Sequence, residues 1–238
     1  ATLTLNRPEV ANTMDMAFGH DFHAAALRVA TDPAVRAVIL TGAGKAFCFG
    51  GDLRGMVAGG GNPEAYLREL TSHLHAGIAV LARMDAPVIA AVNGTAAGAG
   101  VGLVLAADLA IAAQSAKVSL AYTGVGLTPD GATSFLLPRA VGHKRAMELL
   151  LTNRTLSAEE CLQWGLVNQV VAPAHLDEAV LNLAQRIRAK SAVAVATVRD
   201  RARCGAEHEA HRQRARRQAR LVVAGLVAQA SAHRSGAV

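Results

Sequence analysis

Two glycine-centred turns carry the first chemical signal in this chain. Phe49-Gly50-Gly51-Asp52 and Ala97-Gly98-Ala99-Gly100 each follow an apolar, strand-like stretch and lead into a helix start. Glycine has no Cβ, so the backbone there can approach a ligand closely. The first N–H groups of a helix have no partner inside it and sit at its positive end. Two such turns brought together would aim two donors at one oxygen and stabilise negative charge forming on it, worth about 3 kcal/mol per donor in a transition state. Taken alone, each turn needs to be no more than a tight strand-to-helix connection. Two rival motifs fail, one on spacing and one on residue type. Asp108 follows Gly98 by only ten residues, whereas a dinucleotide site places its acid about 20 residues on. Gly42-x-Gly44-Lys45 has Ala46 where a phosphate-binding loop needs Ser or Thr.

The elements that must position these turns follow from periodicity. Thr2 to Leu5 alternates and predicts a strand, and the chain thus opens on a strand already under way, an expectation that residues precede it. Phe18, Phe22, Ala26 and Val29 form one stripe of a helix over Met14 to Val29. Arg36 to Leu40, Pro87 to Val92 and Leu109 to Ala112 predict strands. Leu67, Leu70, Leu74, Ile78 and Leu81 mark a helix of about five turns. Gly98-Ala99-Gly100 opens a small-residue helix to Ala107, and Gly59-Gly60-Gly61 predicts a mobile loop. Short helices are expected from about Gly131, from His143, and from Ser157, where Ser157 and Glu160 fit a capping box. The C-terminal third is expected to be helical throughout. Strands alternating with helices imply an α/β fold of sheets covered by helices.

Composition bounds the partners. At 238 residues and 52% hydrophobic the chain can bury one sizeable core. No apolar run approaches the roughly 20 residues of a membrane-spanning helix, and no charged-then-apolar leader opens the chain. Between Arg186 and Arg220 there are 11 basic and 3 acidic residues, leaving the rest of the chain at −2. This basic stretch lacks interleaved aromatics, so a solvated face, a phosphate-bearing ligand or a subunit contact explains it better than nucleic acid. Cys48, Cys161 and Cys204 are odd in number and far apart, which fits a reducing cytoplasm, with no disulfide framework and no metal site.

Several further segments then carry a resemblance. Leu5-Asn6-Arg7-Pro8, Phe47 to Leu53, Pro87 to Gly94 with Ala97 to Gly100, Leu136-Leu137-Pro138-Arg139, Leu151-Thr152-Asn153-Arg154 and Ser157 to Val167 resemble the enoyl-CoA hydratase/isomerase (crotonase) superfamily. In motif they are most like its 1,2-epoxyphenylacetyl-CoA isomerase-like and 4-chlorobenzoyl-CoA dehalogenase-like members. The resemblance implies a ClpP/crotonase-like fold of repeated ββα units over residues 1–190 and a C-terminal helical oligomerisation region over 191–238. It further implies assembly as homotrimers or hexamers. It places the anion-stabilising donors on the N–H groups of Gly51 and Ala99. An acyl-CoA thioester, with coenzyme A as part of the substrate and no separate cofactor, would lie along Lys45, Phe47, Phe49, Asp52 and Leu53, with Gly98 and Tyr122 nearby.

The side chains must then choose the reaction. By the same resemblance, the two glutamates that hydratases use to activate and deliver water fall here on Gly102 and Tyr122, neither of them a carboxylate. Asp130 read from residues alone is a helix N-cap; by resemblance it matches the acid/base of several isomerases and the nucleophile of the dehalogenase. His75 matches the histidine base of the dehalogenase, whose aspartate-orienting tryptophan is Tyr122 here. On residues alone His75 flanks the apolar stripe and reads equally as a half-buried packing residue. His73 and His75 sit about 200° apart on a helix, so only one of them can face a given pocket. Four functions therefore stand: isomerase with Asp130 as acid/base, dehalogenase-like or hydrolytic enzyme with Asp130 and His75, hydratase, and non-catalytic acyl-CoA binder.

Overall fold

The computed structural model describes residues 1–58 and 62–204. The Gly59-Gly60-Gly61 stretch, the middle of the Met56 to Pro63 segment and the basic residues beyond Cys204 lie outside the described residues. The chain divides into two compact units, Ala1–Arg199 and Asp200–Val238, where the resemblance implied a division after residue 190. In the second unit only Asp200 to Cys204 is described, as helix.

In the first unit the elements run β1 (Thr2–Leu5), α1 (Met16–Thr31), β2 (Val38–Gly42), β3 (Ala46–Cys48), α2 (Leu53–Ala58) and α3 (Pro63–Arg83). Then come β4 (Val88–Val92), β5 (Thr95–Ala97), α4 (Ala99–Ala106), β6 (Leu109–Ala113), β7 (Lys117–Ser119), α5 (Thr133–Val141) and α6 (His143–Thr152). The series closes with β8 (Leu156–Ser157), α7 (Ala158–Trp164), β9 (Gln169–Val171), α8 (Leu176–Arg188) and α9 (Ala192–Cys204), whose residues from Asp200 on belong to the second unit. A five-stranded sheet has the order β1-β2-β4-β6-β9 and a four-stranded sheet the order β3-β5-β7-β8. Each β-β pair, β2-β3, β4-β5 and β6-β7, thus sends its first strand to the larger sheet and its second to the smaller. This is the repeated ββα unit that the resemblance implies.

The larger sheet is parallel throughout, and its middle strands are covered on both faces, as parallel strands require. Val88, Ala90 and Val92 point into the main core with Phe18, Phe22, Leu74 and Ile78. Ile89 and Ala91 point the other way, under Leu176 and Val180 of α8. The predicted helical stripes hold: α1 buries Phe18, Phe22 and Ala26, and α3 buries Leu70, Leu74, Ile78 and Leu81. Both bonds of the Ser157–Glu160 capping box are present. The C-terminal third is not helical throughout, because β9 pairs with β6. Two or three residues are too few to show a strand period, and β5, β7 and β8 escape the sequence for the same reason, while β3 shows only as the unbounded strand-like stretch before the first turn.

A polar strap holds the segment that carries the first glycine turn. Asn12 is fully buried; its side-chain amide nitrogen reaches the carbonyls of Ala43 (2.9 Å), Ala46 (2.9 Å) and Phe47 (3.1 Å), and its oxygen accepts Arg7 N–H. The neighbouring backbone continues the stitching through Phe49 N–H to Ala11, Met14 N–H to Gly50 and Asp52 N–H to Met14. A second anchor is Arg199, which donates to the Asp108 carboxylate and to the carbonyls of Met84 and Leu81, while Asp108 also accepts Val88 N–H at the start of β4. Asn12→Ala would strand buried carbonyls at the strap. It is expected to lower stability by about 2 kcal/mol or more, read as a fall in the denaturation midpoint at constant slope.

Candidate active site

The two turns meet. β3 and β5 are neighbours in the smaller sheet, with Cys48 opposite Ala96, so the turns that follow them leave side by side. Gly50 has φ +80°, and a Cβ placed on it would lie 2.8 Å from the Ala97 carbonyl oxygen and 3.0 Å from the Ala99 nitrogen. A Cβ on Gly100 would lie 2.3 Å from the Cys48 carbonyl oxygen. Backbone is therefore packed on backbone, and at both positions only glycine fits without displacement.

The N–H groups at issue have open directions. Gly51 forms a parallel bridge with Met14, whose bonds run through Gly50 and Asp52. In that pattern the middle residue turns its own N–H away from the partner strand. Ala99 is the first residue of α4, with Gly98 (φ +51°) as its N-cap, so its N–H has no intrahelical acceptor. Among the described residues neither N–H makes a backbone hydrogen bond. The Cys48 thiol donates to the Asn12 carbonyl and accepts Gly50 N–H; burial pushes its pKa up to about 12, so it is a structural thiol and not a nucleophile.

The residues expected along the ligand divide by exposure. Phe49 and Leu53 are each 47% exposed beside the first turn, and Lys45 is exposed at the head of β3. Phe47 is different: its side chain is fully buried in the core and its carbonyl accepts Asn12, so it shapes the strand from behind. Asp52 caps α2, its carboxylate accepting the N–H groups of Arg54 and Gly55, both at 3.1 Å.

Asp130 is not a helix cap. Position Ala132 precedes α5, with no side-chain cap. The Asp130 carboxylate instead accepts the Tyr122 hydroxyl at 2.7 Å through Oδ1, and its Oδ2 lies 3.8 Å from His75 Nε2. Tyr122 is buried. Burial first, and then the adjacent Asp130 charge, hold the phenol protonated far above its usual range, which keeps it a donor to the carboxylate. His75 is no packing residue either: its side chain is 46% exposed, and its Nε2 accepts Gly131 N–H at 3.1 Å. His73, two residues earlier, faces away toward His20 and His23 of α1, as the helical angle predicts.

Two residues escaped sequence reasoning. Asn12 gave no signal, because a buried asparagine looks like any other in sequence. Thr133 is fully buried, and its Oγ1 would lie 3.0 Å from a Cβ at Gly102. Together with the Gly131 carbonyl, 3.2 Å from the same point, it fills the space into which a side chain at position 102 would grow.

Comparison with known proteins places these features in context. The model of the family described as enoyl-CoA hydratase/isomerase matches residues 1–234. A 4-chlorobenzoyl coenzyme A dehalogenase from an Arthrobacter species is 38% identical over 190 residues, covering 79% of this chain and 69% of that protein. The 1,2-epoxyphenylacetyl-CoA isomerase of Escherichia coli (strain K12) is 41% identical over 192 residues, covering 78% and 70%. The crystal structure of an enoyl-CoA hydratase from Bacillus anthracis superposes with a TM-score of 0.80 at 36% identity, covering 84% of this chain and 76% of that one.

The contact between the turns yields a graded expectation. Gly50→Ala combines a positive φ with a clash against backbone and is expected to cost about 1–3 kcal/mol. Gly126→Ala has a similar φ of +73° but open space around it, and is expected to cost about 1 kcal/mol from strain alone. Paired denaturation curves check the order.

Proposed function

We propose, on the premise that this chain belongs to the enoyl-CoA hydratase/isomerase family, that it isomerises a double bond in an acyl-CoA thioester with Asp130 as the single acid/base. The observation that carries this is the carboxylate held through one oxygen by the Tyr122 hydroxyl, at 2.7 Å, with its other oxygen not engaged by Tyr122. Asp130 takes a proton from the carbon next to the thioester. The electron pair moves onto the thioester oxygen, where the N–H groups of Gly51 and Ala99 stabilise the dienolate. The same carboxyl returns the proton to the far end of the conjugated system, so one residue completes the cycle. Syn hydration needs a base for water and an acid for carbon, and the positions of the hydratase glutamates here hold Gly102 and Tyr122. Packing against Thr133 and Gly131 supports reading Gly102 as a position closed to a carboxylate.

The 3.8 Å approach of His75 Nε2 to Asp130 Oδ2 favours a second reading, in which Asp130 attacks an aryl carbon and His75 activates the water that releases the product. It ranks second because His75 Nε2 already accepts Gly131 N–H, so its lone pair is engaged in this arrangement. Exposed Val193 and Val198 on α9, 68% and 67% accessible, fit a homotrimer or hexamer contact, which sedimentation would show. No helix among the described residues is long and apolar enough to cross a membrane.

Assay of a 3-enoyl-CoA panel tests the first reading. Asp130→Asn is expected to lower kcat by about 10²–10⁴-fold, and Tyr122→Phe by a smaller factor, with the fold retained. Unchanged turnover in Asp130→Asn would sink the isomerase mechanism. Chloride release from 4-chlorobenzoyl-CoA, with isotopic oxygen from water appearing in Asp130 after one turnover, would establish the second reading instead. Tight thioester binding without conversion would identify a binding protein.

A further inference from the structure

Away from this site, α1 and α3 cross closely. A Cβ on Gly19 would lie 3.1 Å from Leu70 Cδ1 and 3.4 Å from His73 Cβ, and one on Gly77 would lie 2.6 Å from the Phe22 ring. Two glycines thus set the helices near contact and bring polar side chains from each to the same edge of the crossing. His20 comes from α1; Glu69 and His73 come from α3, four residues apart and therefore on one helical face. One ligand atom from each of the three, two imidazole nitrogens and a carboxylate oxygen, lies within 4.8 Å of the others. The rings of His20 and His73 are 3.8 Å apart centroid to centroid, and the His23 ring is 6.5 Å from that of His73.

We propose that His20, Glu69 and His73 form a binding site for a divalent transition-metal ion of the zinc type that clamps α1 to α3. The donor set is the argument. Two imidazoles and one carboxylate are the ligands borderline-soft cations take, whereas Mg²⁺ and Ca²⁺ want oxygen alone. A pair four residues apart on one helix is a spacing at which two side chains reach one metal. Ligand atoms around tetrahedral zinc sit about 3.3 Å apart. His20 and Glu69 are exposed, so their side chains have room to rotate toward that spacing. The third ligand comes from the other helix, so the ion ties two elements together and stabilises the folded chain by mass action. His75 projects from another face of α3, so the clamp braces the helix that carries it and takes no part in the chemistry.

The test uses the full chain without an affinity tag, stripped with chelator and titrated with Zn²⁺ by calorimetry and by thermal melting. Saturable binding at one site per chain is expected, with a melting temperature that rises with Zn²⁺ and does not respond to Mg²⁺. His20→Ala and His73→Ala are each expected to weaken binding by about tenfold or more, while His143→Ala, an exposed histidine elsewhere, leaves it unchanged. If His73→Ala alters the metal-free melt, Glu69→Gln at an exposed carboxylate carries the comparison. Absence of saturable binding, or affinity equal to that of the unaltered chain in both histidine variants, overturns the proposal.

Discussion

The placing of both glycine turns depends on backbone touching backbone where the chain leaves β3 and β5. Gly50 against Ala97 and Ala99, and Gly100 against Cys48, leave no volume for a side chain. The contact requires the two strands to pair in parallel, so that both chains turn at the same end of the smaller sheet. It requires glycine at Gly50, where φ is positive, and at Gly100, where φ is ordinary but the neighbouring carbonyl is too near. It also requires the strap around Asn12, since a turn of this kind has few contacts of its own. Remove the pairing, the glycines or the strap, and the N–H groups of Gly51 and Ala99 no longer share a neighbourhood.

The side chains that would decide the reaction come from a different part of the chain. Tyr122 follows β7, Asp130 lies in the loop before α5, and His75 sits in the middle of α3. They are brought together because α3 packs across the core through Leu74 and Ile78, and a Cβ on Gly131 would meet Ile78 at 3.4 Å. In the proposed reading, anion stabilisation would rest on main-chain N–H groups, which every residue type but proline supplies, and proton handling on replaceable side chains. A fold divided in this way keeps one intermediate and varies the reaction made from it. That division agrees with relatives of similar identity that bear dehalogenase and isomerase names.

What the sequence disclosed follows from range. Glycine turns are legible because the requirement is local: a missing Cβ shows in the residue itself. The stripes of α1 and α3 and the Ser157–Glu160 box are legible for the same reason, each closing within one element. The smaller sheet was not, because Ala46-Phe47-Cys48 is buried at every position and shows no alternation. Asn12 joins carbonyls 31 to 35 residues away, a relation that no window of sequence contains. His75 lay between the two cases. Helical angle separated it from His73, but only the packing of α3 on the Asp130 loop decides which of them meets the carboxylate.

Tyr122 shows how a single position ties stability to chemistry. Its ring is part of the main core, so the phenol oxygen has little freedom, and the entropic cost of the hydrogen bond falls mainly on Asp130. A glutamate in its place would put a second carboxylate within reach of Asp130 in a buried setting, where two like charges raise one another's protonation. A neutral donor avoids that conflict and leaves Asp130 as the one carboxylate of this cluster, beside the His75 imidazole. In the isomerase reading the loss of both glutamates is then a single change with two parts. The space beside Gly102 is taken by Thr133 and the Gly131 carbonyl, and the Tyr122 hydroxyl fixes one oxygen of the remaining acid, Asp130.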